Sequence, residues 1–185
     1  MISLTALWLP ILLSAVVVFV ASSIIHMALG RWHAADFKKF SAEDAVLDAL
    51  RPFDLAPGDY VAPLPASRAQ MNSAEFKAKF ERGPRVMVTV LGRQGSMARG
   101  LAVWFVYLVV VSVFAAYVAG LTIGAGTAYM SVFRTTSTVA FAGYVLALWP
   151  NWIWYSRSLG TTIRTTIDGL VYALLTGGVF GWLWP

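Results

Sequence analysis

The chain has 185 residues, a formal net charge of +5 and no cysteine; 58% of its residues are apolar and 12% are charged, against roughly 25% charged in an ordinary soluble domain. The missing thiols exclude disulfides, thiolate metal sites, iron–sulfur clusters and cysteine nucleophiles. The basic excess is not a nucleic-acid footprint, because 11 of the 14 Lys and Arg lie between Arg31 and Arg99 beside 8 of the 9 acids, which leaves a local excess suited to a membrane-facing surface.

No Asp, Glu, Lys or Arg occurs between Met1 and Gly30, between Gly100 and Phe133, or between Thr135 and Ser156. Gaps of that size match the roughly 20 apolar residues that cross a hydrocarbon core. The expected fold is therefore a membrane all-α bundle of four transmembrane helices with a small α/β loop domain between the first two. The expected division is residues 1–30 for the first span, 31–99 for the loop domain and 100–185 for the remaining spans.

The first span is expected over about 4–29, with Trp8 near one end and Trp32 just beyond the other, as interfacial aromatic belts would place them. It lacks a positively charged start and its apolar run exceeds a signal-peptide core, so it reads as a retained helix. In the loop domain, Ser41-Ala-Glu-Asp44 resembles a capping box before a helix burying Val46, Leu47 and Leu50. Leu55-Ala-Pro-Gly-Asp59 is turn chemistry and Tyr60-Val61 a short strand. Ser73 is placed to cap a helix carrying Phe76 and Phe80 that stops at Gly83-Pro84, and Arg85 to Leu91 is the strongest strand candidate.

The second span is expected over about 100–121, leading into a glycine-rich turn from Gly120 to Gly126. The third is expected over about 131–149, ended by Pro150, with residues 151–155 along the interface. The fourth runs from about Thr161 to Trp184. With four spans, the 31–99 loop and the loop between spans three and four share one face and hold 13 of the 14 basic residues. The positive-inside rule puts that face in the cytoplasm and both termini outside.

Asp168 is the one acid in a spanning segment, and Arg164 stands at i−4 on the same helix face, so the expectation is an intramembrane ion pair between them. A carrier or channel-like role using Asp168 is the alternative. His26 lies in the first span and His33 follows at i+7. Imidazole is a common tetrapyrrole ligand, so His26 is a candidate cofactor-binding residue. No cofactor is the leading expectation, and no metal site is expected.

Small residues at i, i+4 spacing let helices approach closely in lipid. They are Ala116, Gly120 and Gly124 in the second span, Gly143 and Ala147 in the third, and Gly177 and Gly181 in the fourth. The chain has no Walker lysine loop, no GxGxxG, no HExxH and no GxSxG elbow, so the expected protein is not an enzyme. The expected partners are the lipid bilayer and other membrane-protein subunits or a second copy, not nucleic acid.

Ser22-Ser-Ile-Ile-His-Met27, Glu43-Asp-Ala-Val-Leu-Asp-Ala-Leu50, Leu55-Ala-Pro-Gly-Asp-Tyr60, Arg82-Gly-Pro84 and the stretch from Asp168 to Pro185 resemble a family of bacterial integral membrane proteins of unknown function, over nearly the whole chain. That resemblance implies a bacterial inner-membrane setting and no mechanism. The function expected from the sequence is a non-catalytic accessory or scaffold subunit of a membrane complex.

Overall fold

A computed structural model describes residues 1–92 and 95–185, so positions 93 and 94 of the expected loop domain lie outside the described residues. The protein is mostly helical with one two-stranded sheet. It divides into a helical unit, Met1–Lys38 with Met97–Pro185, and a smaller unit, Lys39–Ser96. Residues 31–38, expected at the start of the loop domain, thus belong to the helical unit.

In the helical unit, α1 (Trp8–Ser23) is preceded by a 3-10 turn, Leu4–Leu7, and continued by a π-helical turn, Ile24–Ala28, before the short α2 (Gly30–His33). The π turn is closed by the Leu29 N–H donating to the Ile24 carbonyl at 3.1 Å. Leu29 then leaves helical geometry at φ −99°, ψ 39°. The other long helices are α6 (Met97–Thr122), α7 (Tyr129–Val145) and α9 (Leu159–Trp182), with α8 (Trp149–Tyr155) between the last two. Each of the four long helices packs on two others, in the cyclic order α1, α6, α7, α9.

Residues 4–28 and 97–122 are long and apolar enough to cross a membrane. The other two long helices fall short for identifiable reasons. At about 1.5 Å per residue, the 17 residues of α7 make it shorter than a roughly 30 Å core. α9 has the length, but Arg164, Asp168 and its threonines and glycines dilute its apolar character.

The core of this unit has one cluster around Ala15, Val18, Leu108, Val111, Ala140, Tyr144, Tyr172 and Ala173, and a second around Leu7, Ala116, Ala119, Val132 and Phe180. Ser14 of α1 donates across the interface to the buried Ser112 hydroxyl of α6 at 3.0 Å. Close approaches by glycine set the spacing. A Cβ on Gly120 would lie 2.6 Å from the Ile2 carbonyl oxygen, one on Gly177 would meet Ser137 and the Phe133 carbonyl oxygen below 3.0 Å, and one on Gly181 would strike the Tyr129 ring. Gly143 sits against Val111, and Ala116 is fully buried. Gly124 and Ala147 do not share this role: nothing approaches a Cβ on Gly124 within 4 Å, and Ala147 is exposed. Gly169, not singled out from its sequence spacing, faces Val145 and Tyr144 closely.

Pro150 does not end the third long helix. That helix already breaks at Val145, where φ is −121°, and Pro150 lies in the first turn of α8, where a missing N–H costs nothing.

In the smaller unit, α3 (Glu43–Leu50), α4 (Arg68–Asn72) and α5 (Ala74–Arg82) accompany β1 (Gly58–Ala62) and β2 (Val86–Val90), paired antiparallel with Tyr60 opposite Val88. The Ser73 hydroxyl accepts from the Phe76 N–H and caps α5 as its position dictates. The capping box at Ser41 does not form: Ala42 is the N-cap of α3 and supplies no side-chain bond. Phe76 and Phe80 stack with ring centroids 6.1 Å apart, and the Arg85 guanidinium lies over Phe80. α5 stops at Gly83, whose φ of 61° suits glycine. None of the described residues of this unit is buried, so Val46, Leu47 and Leu50 do not form the buried helix face expected of them.

Candidate functional site

The site lies at the end of the π turn. A regular helix would place His26 and His33 two turns apart, about 10 Å along the axis. The π turn and the break at Leu29 fold α2 back, so that the two imidazoles stack with centroids 4.5 Å apart and planes 16° from parallel. π turns occur disproportionately at functional sites.

Each histidine is oriented through Nδ1. His26 Nδ1 lies 3.0 Å from the Ser22 carbonyl oxygen, and His33 Nδ1 lies 2.7 Å from Asp36 Oδ2. A carbonyl and a carboxylate only accept, so both rings carry a proton on Nδ1 and turn Nε2 elsewhere. The helix carbonyl used by His26 belongs to a residue that is itself held, since the Ser22 hydroxyl accepts from Trp104 Nε1 at 2.9 Å.

Asp168 comes from α9. Its Oδ1 accepts from Trp32 Nε1 at 2.9 Å, and its Oδ2 lies 3.0 Å from His33 Nε2. That last pair is close but poorly aligned, and among the described residues neither atom has a hydrogen-bond partner. Asp168 is buried, His33 is half-buried and His26 is exposed; one donor atom from each lies within 4.8 Å of the other two.

The ion pair expected between Arg164 and Asp168 is replaced by a different one. Arg164 turns to Asp36, donating from Nε at 2.8 Å and also from Nη2 to the same Oδ1. Burial pushes the Asp36 carboxyl up, but hydrogen bonds from Arg164, His33 and Thr161 together with the Arg164 charge outweigh it and hold it below the usual carboxylate range. Asp36 is therefore ionised at neutral pH and bridges Arg164 to His33. The reason for the exchange is reach: i−4 spacing makes Arg164 a neighbour of Asp168, but the change of path at Leu29 delivers a second carboxylate that takes its Nε and Nη2.

No protein-family model, curated protein or solved structure matches this chain. The site must therefore be read from its own chemistry. It is a chain of alternating charge and hydrogen bonding, Arg164 to Asp36 to His33 and then Asp168 to Trp32, that ties the segment after α1 to α9. Sequence spacing did not connect Trp32 with Asp168 or Asp36 with Arg164. The one local signal was Gly30 following Leu29, which marks where the helix yields.

Proposed function

We propose that the chain is a bacterial inner-membrane protein whose four long helices all cross the bilayer, and that it serves as a non-catalytic accessory or scaffold subunit. The observation that carries this reading is the state of residues 39–96. The unit has no buried residue among those described, and Phe40, Phe53, Leu64 and Leu91 are each 64 to 73% exposed. Large apolar groups left open in this way mark surfaces completed by another molecule. The exposed apolar residues on the outer faces of the bundle, among them Val103, Val106 and Phe114, suit lipid contact. Asp168, held by Trp32 and beside His33, supports a carboxylate fixed in a network over the free intramembrane acid that a carrier would use.

Extraction in mild detergent followed by affinity isolation is expected to yield a second membrane protein in stoichiometric amount or a self-associated assembly. Residues 39–96 should be cleaved by protease within minutes in the isolated chain and be protected in that assembly. Isolation of a monomer with the same protection would overturn the scaffold reading.

The orientation is tested separately. Reporters active on one side only, fused at each terminus and within residues 39–96, should place that unit in the cytoplasm and both termini outside. Termini on opposite sides would require an odd number of crossings.

A further inference from the structure

We propose that His26, His33 and Asp168 bind one divalent transition-metal ion of the zinc class, a site that goes beyond the scaffold reading and does not depend on it. The geometry that carries this is the gathering of three donor atoms, one from each residue, within 4.8 Å of one another. With Nδ1 committed to Asp36, His33 has Nε2 left to offer, and Asp168 Oδ2 lies 3.0 Å from it. Both atoms are buried and neither has a hydrogen-bond partner among the described residues, which leaves the pair open to a cation placed beside both. His26, with its own Nδ1 taken by the Ser22 carbonyl, has Nε2 left to offer as the third donor.

Every ligand already has the outer partner that metal sites use. Metal-bound histidines characteristically donate their other N–H to a carboxylate or a backbone carbonyl, as His33 does to Asp36 and His26 to Ser22. Asp168 is held by Trp32 through Oδ1, which leaves Oδ2 for the ion. Two imidazoles and one carboxylate, without sulfur, suit Zn²⁺, Fe²⁺ or Co²⁺ and not the hard, all-oxygen preference of Mg²⁺ or Ca²⁺. Three protein ligands leave a coordination position for water or a fourth group. Donor atoms around a tetrahedral zinc lie roughly 3.3 Å apart for bonds of about 2.0 Å. His33 and Asp168 already meet that spacing, and the exposed His26 ring closes the remainder by side-chain rotation. A proton between His33 and Asp168 would also occupy that pair, but it gives no role to the third donor stacked beside it.

The test uses the full chain without a polyhistidine tag, purified in detergent, stripped with a chelator and titrated with Co²⁺ alone. One equivalent should bind, with visible d–d bands of four- or five-coordinate intensity that disappear when Zn²⁺ is added. His33→Ala and Asp168→Asn should weaken Co²⁺ binding at least about 100-fold, beyond the 10- to 100-fold typical of losing an outer partner. His26→Ala should do the same while the protein stays folded, because that ring is exposed and holds only a local carbonyl. His26→Ala therefore decides the matter if either of the other variants unfolds. Absence of the bands at a Co²⁺ excess, or unchanged binding by His26→Ala, overturns the proposal. Either result leaves the partner experiment unaffected, just as failure to find a partner leaves the metal site standing.

Discussion

Replacing Arg164 by alanine is expected to lower the stability of the helical unit by about 3–5 kcal/mol, the usual loss when one member of a buried ion pair is removed. The Asp36 side chain is only 10% exposed, and without the guanidinium it keeps only the His33 ring N–H and the Thr161 hydroxyl against the cost of its own burial. For a chain of this size that corresponds to a fall of roughly 6–20 °C in the unfolding midpoint. Thermal unfolding in detergent followed by tryptophan fluorescence measures it. The double variant Arg164→Gln with Asp36→Asn removes both charges and should lose less than the two single changes together, by about 0.5–3 kcal/mol of coupling. Arg134→Ala, at an exposed position on α7, should change stability by less than about 0.5 kcal/mol. If Asp168→Asn coupled to Arg164→Gln more strongly than Asp36→Asn does, the i−4 pairing would be the true one.

Gly177→Ala is expected to cost about 1–3 kcal/mol, and Gly177→Leu to prevent α7 and α9 from packing at all. The obstacle is backbone. The added Cβ would stand 2.9 Å from the Phe133 carbonyl oxygen and 2.8 Å from Ser137 Cβ, and a carbonyl inside a helix cannot swing away as the end of a side chain can. Gly124→Ala is the control, since nothing lies within 4 Å of its Cβ position, and its midpoint should stay close to that of the unchanged protein. Equal losses at both glycines would show that the effect is one of helix propensity or lipid contact and not of the interface.

The contrast between these two glycines marks what spacing can reveal. Small residues at i, i+4 identify a face, and Gly120, Gly177 and Gly181 do lie where another chain segment comes close. Gly124 satisfies the same spacing but falls past the end of α6, where no helix faces it. Ser73 and Ser41 differ in a similar way: each precedes a helix, but the cap needs an extended backbone at the serine itself, which Ser73 has. The helix after Ser41 takes its N-cap one residue later, at Ala42, and begins at Glu43.

The candidate site was the least legible part. Asp36 and Arg164 are separated by 128 positions, and local patterns carry no information about such a pairing. Asp168 looked committed to its own helix because the carboxylate that displaced it, Asp36, lies beyond the break at Leu29. Periodicity put His26 and His33 on one face of a continuous helix, two turns apart. Only the change of path at Leu29 brings the rings into contact.

The π turn at Ile24–Ala28 acts as a vernier on the chain that follows it. A π turn holds one residue more than the α turn it replaces, and one residue is about 100° of helical rotation. Deleting any one of Ile24, Ile25, Met27 or Ala28 would let the segment relax to an ordinary helix and carry Trp32, His33 and Asp36 round to a different side together, with every side chain of the site still present. The site is thus specified as much by a count of residues as by their identities. Chains that keep the same histidines and acids but lose that count would not share it.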